Sequence, residues 1–572
     1  MRRGQSNRLC RVAALLALVL VLVACSPRGQ GRSAAPGTPG AEAASPGAAG
    51  TPAAAGAVSG APQAPVPVGG RIVEGGLTEP RTLNPLFVAD PTSEALSHLV
   101  FNGLVTVDPS SAEPRPDLAA SWDVSEDGLT YTFHLREGVV WHDGQPFSAR
   151  DVVFTYQTMM NDRARSPRYS RLVERVRQVS APDAMTVAFQ LVHPDASFLS
   201  TLATFGIVPE HALVDVLPEE LITNPFGLST AVGTGPFILQ QWIRGERIIF
   251  RQNERYFRGP VASAEYVFQV VASPEDLVAG LRDGTIDWAE LDPAVAAAAA
   301  QLDGVTVERL PSFDLTYVAL QLDPAKSKLF LDPRVRQALL LGLDREAAAR
   351  DIWQGQAVVA DGTLPPASWA YTASATTYRA DLDAARRLLD EAGWVEGPGG
   401  VRVKDGVALR FTLTTNGDNP RRRQVAAWLQ RSWEALGVQV ELRFETWSTV
   451  RERAIRTHDF DAVLLGYRWD VDPDQTALWS SDSFFDGLNI GHYANHEVDH
   501  LLEQALASGS REERAALYAQ MQEQVMRDLP VLPLVFPQLV IARTKDLQAG
   551  AITAILVRNR ADIERWVSAV SE

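Results

Sequence analysis

The rhythm of hydrophobic and polar positions changes along the chain, and each change marks an element or a boundary. Val12 to Ala24 is an unbroken apolar run behind the basic residues Arg2, Arg3, Arg8 and Arg11. It is too short to cross roughly 30 Å of hydrocarbon as a stable helix, so residues 1–24 read as a signal peptide. The next tract, 25–69, is almost entirely Ala, Gly, Pro and Ser and has no aromatic residue. Such a segment buries too little apolar surface to offset its ordering entropy, which predicts a disordered linker.

From Gly70 onward the patterns are those of a folded chain. Leu129, Tyr131, Phe133 and Leu135 alternate with polar residues after Asp127-Gly128, which predicts a half-buried strand. Ser148 with Asp151 forms a capping-box signature, and Val152, Tyr156 and Met159 give the helix that follows one apolar face. Asp332 and Pro333 open a helix through Val335 and Leu339, and a second helix runs from Asp381 to Ala392 and stops at Gly393.

Strand and helix then alternate. Val407, Leu409, Phe411 and Leu413 predict a strand, and Asn419-Pro420 opens a helix to Gly437. Val438, Val440, Leu442 and Phe444 predict the next strand, followed by a helix around Val450 to Ile455 and a strand from Phe460 to Leu465. Right-handed crossovers make the three strands of such a βαβαβ unit parallel and gather the loops after them at one sheet edge, where open α/β sheets bind ligands. Those loops carry Asn416, Gly417, Asp418 and Arg421, then Trp447, then Tyr467, Arg468, Trp469 and Asp470.

Composition narrows the function. The formal charge is −16 and becomes −20 once residues 1–24, with four arginines and no acid, are removed, so nucleic acid is not an expected partner. Of the two cysteines, Cys10 lies in the basic leader and Cys25 directly follows Leu22-Val23-Ala24. The folded part therefore has neither disulfide nor thiol chemistry. Leu22-Val23-Ala24-Cys25 matches the bacterial lipoprotein signal, in which the cysteine is acylated and becomes the first mature residue.

Two motifs suggest metal chemistry. His496-Glu497-Val498-Asp499-His500 spells H-E-x-x-H, which on a helix sets two imidazoles on one face for zinc beside a glutamate base. Against a zinc peptidase, Asn495 reads as the helix cap, no third-ligand continuation follows His500, and Asp499 puts a charge inside the motif. Asp470, Asp472 and Asp474 imitate the start of a calcium loop, but Gln475 and Ser481 stand where its glycine and bidentate glutamate belong. No G-x-S-x-G or phosphate-loop sequence occurs in the folded region.

Several segments together resemble the extracellular solute-binding proteins of family 5, the oligopeptide and dipeptide receptors of ABC importers. They are Glu79-Pro80 with Thr82-Leu83-Asn84-Pro85; Phe101-Asn102-Gly103-Leu104-Val105; Pro116-Asp117-Leu118-Ala119 with Ser121-Trp122; Trp141-His142-Asp143-Gly144; Gly233-Thr234-Gly235-Pro236-Phe237; Arg334 to Leu339 with Asp344-Arg345; and Trp469-Asp470-Val471-Asp472-Pro473. The resemblance implies an α/β, two-lobed, periplasmic-binding-protein-like clamshell of type II, in the large peptide-binding class with an extra subdomain. Lobe I is expected at 70–312 and 531–572, with the subdomain near 116–230, and lobe II at 313–530.

It further implies a receptor without cofactor, monomeric, held outside the cytoplasmic membrane by a lipid anchor, and serving permease subunits with their ATPases. Peptide is the expected solute, and nickel complexes and oligosaccharides are the alternatives the family leaves open. Asp470 is implied to take a peptide's α-ammonium group, with Trp469, Tyr467 and Trp447 as aromatic walls. Arg421 stands about where some members bind the peptide carboxylate, Asn416 replaces an arginine of dipeptide receptors, and Ala89 and Asp90 lie in the segment that runs beside the peptide backbone. The family's variable positions at the start of the 496–500 helix also absorb the two histidines of H-E-x-x-H.

The lipoprotein signal has a direct test. Cys25→Ser is expected to release the protein from membranes or block its processing, read by fractionation and mass spectrometry of the N-terminus. A wild-type protein that is fully soluble with an unmodified N-terminus would refute the anchor.

Overall fold

One strand, Val531–Thr544, runs through the centre of a twelve-stranded mixed sheet and touches both of its halves. Its first residues pair antiparallel with Asp314–Leu320, and its later ones pair with Val305–Pro311 and Trp288–Glu290. Val305–Pro311 leads through Ser312-Phe313 into Asp314–Leu320, so a second segment crosses between the halves beside the first. The computed structural model describes residues 69–484 and 487–568. Cys25, the leader and the linker lie outside the described residues.

On one side of the crossing, Arg71–Gly76 lies parallel to both Glu265–Val270 and Trp288–Glu290, and an antiparallel meander adds Arg247–Gln252 and Phe237–Ile243. The helices Pro274–Asp283 and Pro293–Ala299 bring Leu277, Leu281, Val295 and Ala299 into one core with Val540. On the other side the strands Arg410–Asn416, Gln439–Glu445 and Ala462–Arg468 are mutually parallel, with Leu413 opposite both Leu442 and Ala462. Phe411, Leu429, Trp433 and Leu464 fill that core. The result is the two-lobed clamshell, its lobes joined by strands that continue from one to the other.

A separate four-stranded antiparallel sheet, in the order Ala119–Val124, Thr130–Leu135, Thr186–Leu191, Val176–Asp183, stands apart from the main sheet. The alternation read from Tyr131, Phe133 and Leu135 places all three inside it. Helix Ala149–Met159 begins at the Ser148/Asp151 signature, where the Asp151 carboxylate accepts from the Ser148 N–H at 2.9 Å. Asp332, Asp381 and Asn419 likewise cap the helices Pro333–Leu341, Leu382–Glu391 and Pro420–Glu434, each through a carboxylate or amide oxygen that accepts a backbone N–H.

Two elements differ from their sequence reading. The strand expected from Val407 is broken: Val407–Ala408 folds back on Arg402–Lys404 around Asp405-Gly406, both at positive φ, and the sheet strand starts at Arg410. The helix expected around Val450 starts earlier, at Trp447 behind the cap Thr446, and widens to a π-helical turn over Arg451–Arg456. Trp447 is therefore a first-turn helix residue.

Gly233-Thr234-Gly235 packs on the end of helix Pro91–Val100. A Cβ at Gly233 would fall 1.8 Å from the Val100 carbonyl oxygen, and one at Gly235 would fall 2.6 Å from that of Leu99. Backbone cannot yield as a side-chain tip can. Gly233→Ala is expected to cost about 1–3 kcal/mol or more and to lower the melting temperature. Gly509→Ala, where nothing lies within 4 Å, is the control expected to melt as wild type.

Candidate ligand-binding site

The loops at the carboxyl edge of the parallel strands face the first lobe. Helix Pro420–Glu434 presents Arg421 in its first turn, and Arg421 Nη2 donates to both carboxylate oxygens of Asp292, at 2.8 and 2.7 Å. Asp292 belongs to the first lobe, where it caps helix Pro293–Ala299, so this ion pair joins the lobes. Behind it lies a cavity of about 470 Å³, within the range of sites that enclose small molecules. Its walls come from the strand Arg71–Gly76 and the residues after it, the start of helix Pro91–Val100, residues 290–293, the two crossing segments, and Arg558 and Arg560 near the C-terminus.

Arg468 donates to both oxygens of Asp314, at 2.8 and 3.1 Å. Arg560 pairs with Glu74, whose other oxygen accepts from the Tyr266 hydroxyl. Burial raises the Glu74 carboxyl despite Arg560 beside it.

Next to the cavity the loop Trp469 to Gln475 carries three aspartates, each holding arginine. Asp470 lies between Arg558 Nη2 at 2.8 Å and Arg171 Nη1 at 2.7 Å, and Arg558 also reaches Glu94 at 3.2 Å and the Trp469 carbonyl at 2.9 Å. Asp472 is bidentate to Arg514 at 3.0 and 2.6 Å, both side chains being buried. Asp474 takes Arg175 at 2.8 Å, which also binds Asp195 at 2.7 Å. Burial alone would raise the Asp470 carboxyl, but Arg171 and Arg558 hold it well below the usual carboxylate range. For Asp472 burial outweighs Arg514, and its carboxyl is raised.

Of the residues assigned a ligand role from sequence, only Arg421 lines the cavity, together with Arg468 from the same loop as Tyr467, Trp469 and Asp470. Asp470, expected to be a carboxylate awaiting a ligand cation, already has two guanidinium partners. Trp469 is 1% exposed, its indole N–H finds no acceptor, and its ring meets that of Tyr467 edge-on at 4.7 Å. Trp447 is 42% exposed, with the Arg422 guanidinium 5.8 Å from its ring. Asn416 is buried and turned to its neighbours: its amide donates to Asp418 and its carbonyl accepts from Arg422. Ala89 is exposed, and Asp90 caps helix Pro91–Val100 by accepting from the Ser93 N–H and hydroxyl at 2.9 and 2.7 Å. The cavity's other charged groups, among them Glu74 within a strand, Glu290 at a strand end, Asp292 at a helix cap and Arg558 within helix Ala554–Asn559, were not singled out from sequence, because they come from separate short elements that carry no motif.

The H-E-x-x-H string opens helix His496–Ala507, whose buried face is Val498, Leu501, Leu502 and Ala505. His496, Glu497 and His500 are exposed, and Asp499 accepts from the Ser481 N–H and hydroxyl. Among the described residues, no group of three His, Cys, Asp or Glu side chains is arranged to hold a metal ion.

Asp470→Asn should remove the attraction that joins the second lobe to Arg558 and Arg171. Breaking a buried pair costs about 3–5 kcal/mol; because about a third of this side chain meets solvent, at 32% exposure, the expected loss is ~2–3 kcal/mol at pH 7. A carboxyl depressed on folding stabilises above its unfolded pKa of about 4 and loses that contribution only as pH falls towards the folded value. The gap in melting temperature between wild type and Asp470→Asn should thus be the same at pH 7 and pH 5 and shrink below about pH 4. Equal melting at pH 7 would show that the cluster is not stabilising.

Residues 113–487 match the family described as bacterial extracellular solute-binding proteins, family 5 Middle. Over 464 residues the chain is 36% identical to Protein XP55 of Streptomyces lividans, covering 80% of this chain and 82% of that protein. It is 30% identical to the dipeptide-binding protein of Escherichia coli over 79% of this chain and 86% of that one. The structure of the oligopeptide-binding protein AppA from Bacillus subtilis, in complex with a nonapeptide, superposes with a TM-score of 0.76 at 28% identity, over 88% of this chain and all of that one. Fold, sequence similarity over about four fifths of the chain and the family match agree, and the chain belongs to the bacterial extracellular solute-binding proteins of family 5.

Proposed function

We propose that this protein is the peptide-capturing receptor of an ABC importer, tethered outside the cytoplasmic membrane by a lipid on Cys25, and that it works by binding and release without catalysis. The observation that carries this reading is the Arg421–Asp292 pair, which joins the lobes within the lining of a cavity walled by both. A ligand enclosed there is surrounded by main-chain edges and fixed charges, the environment a peptide needs. Opening the lobes about the two crossing segments would break Arg421–Asp292 and Asp470–Arg558 together, which makes hinge closure the step that traps the solute.

A second cavity of about 230 Å³ shares Phe313 and Ala554 with the first and is lined by Leu310, Trp369, Ile552 and Ile555. It offers a compartment for an apolar side chain of a bound peptide. The lobes would comprise 70–312 with 531–572 and 313–530, with the subdomain near 116–230.

Protein purified from its own host without denaturation should carry peptide, identified by mass spectrometry of the acid-released ligand. An oligosaccharide or a nickel complex in its place would keep the receptor role and reject the peptide.

A further inference from the structure

Nine charged side chains line the larger cavity: Glu74, Glu94, Glu290, Asp292, Asp314, Arg421, Arg468, Arg558 and Arg560. Four carboxylates match the four guanidiniums one to one: Glu74 with Arg560, Glu94 with Arg558, Asp292 with Arg421, and Asp314 with Arg468. Glu290 is the carboxylate left over. Among the described residues its side chain has neither a hydrogen bond nor an ion pair, although its surface is open to the cavity. We propose that Glu290 is the receptor for the ligand's cationic group, the α-ammonium of a bound peptide, in the place that family resemblance gives to Asp470. This deepens the peptide reading above and rests on it.

The surroundings fit an ammonium group. Glu290 ends the strand Trp288–Glu290, and the strand beside it offers Gly75, opposite Ala289, followed by Gly76. These two positions put no side chain of their own into the cavity wall next to the carboxylate, which leaves room for an extended peptide. A Cβ at Gly76 would come within 2.3 Å of the Phe268 ring, which itself lines the cavity, so only glycine fits there. Although its surface is exposed to the cavity, the protein packed around Glu290 raises its carboxyl above the ordinary value, with Arg468 and Arg560 compensating only in part and Asp314 and Glu74 opposing them. A bound cation supplies the missing compensation. With the other four carboxylates engaged by guanidiniums, Glu290 is a single free anionic donor, a poor site for a divalent metal, which needs several oxygen donors, whereas one ammonium group is satisfied by one carboxylate and nearby carbonyls.

Asp470 cannot serve in the same way while it is shared by Arg171 and Arg558. An added ammonium would meet a carboxylate already neutralised by two cations, and would have to displace one of them.

The test uses the mature protein and a defined pool of di-, tri- and pentapeptides without Lys, Arg or His, so that the α-ammonium is the only cation, together with the same pool N-acetylated. Wild type should bind the free-amine pool ~10-fold or more tightly than the acetylated one, as expected for a hydrogen bond between charged groups. Glu290→Gln should weaken free-amine binding by ~10-fold or more, make acetylation irrelevant, and leave the ligand-free melting temperature unchanged or raised, because a poorly compensated charge is removed. A Gln variant that still discriminates the two pools as wild type does overturns the inference and leaves the receptor reading standing. So does loss of discrimination in Asp470→Asn alone. Wild type binding neither pool rejects peptide as the solute and the inference with it.

Discussion

The loop Trp469 to Gln475 is the place where the subdomain, the C-terminal segment and the second lobe of this molecule are tied together by charge. Asp470, Asp472 and Asp474 stand at alternate positions, and between them they take arginines from three regions: Arg558 near the C-terminus, Arg171 and Arg175 in and just after helix Tyr169–Val173 of the subdomain, and Arg514 of helix Arg511–Asp528. Buried ion pairs of this kind add little net stability over a well-packed apolar contact, because desolvation offsets most of the Coulomb gain. What they do is penalise mismatch. Any arrangement that leaves one aspartate or arginine buried without its partner costs several kcal/mol, so the loop admits one relative placement of subdomain, C-terminus and second lobe.

That constraint acts on the cavity next door. Arg558 is shared between Asp470 outside the cavity lining and Glu94 within it, so the charge balance of the site depends on the same cluster that holds the lobes together. Were Asp470 neutral, Arg558 would turn its full charge to the cavity and the excess of one carboxylate there would be weakened. The depressed pKa of Asp470, caused by two arginines acting against burial, keeps this balance fixed throughout the physiological pH range.

Much of the fold was legible in the sequence because its signals are local. Ser148 with Asp151, Asp332 with Pro333, and Asn419 with Pro420 mark helix starts within four residues, and the alternation at Tyr131, Phe133 and Leu135 reports burial on one face. The exceptions were local too: Asp405-Gly406 diverts Val407 from the expected strand. The ion pairs are another matter. Asp292 and Arg421 are 129 residues apart, Asp470 and Arg558 are 88, and Asp472 and Arg514 are 42. Periodicity shows that a side chain is near the core; it does not say which opposite charge meets it. Asp470 looked unpartnered for that reason, and Glu290, at the end of a three-residue strand, carried no pattern at all.

Selectivity then follows from counting charges in the enclosed space rather than from any single motif. With each arginine in the wall engaged by a carboxylate, an added anion must compete with an existing ion pair, and losing one member of a desolvated pair costs far more than a surface pair is worth. A neutral ligand leaves Glu290 desolvated and uncompensated, which opposes closure around it. A ligand carrying one positive charge removes that penalty as the lobes come together. The uneven wall therefore favours closure on a cation over closure on a neutral or anionic ligand, so that recognition arises from one unpaired carboxylate.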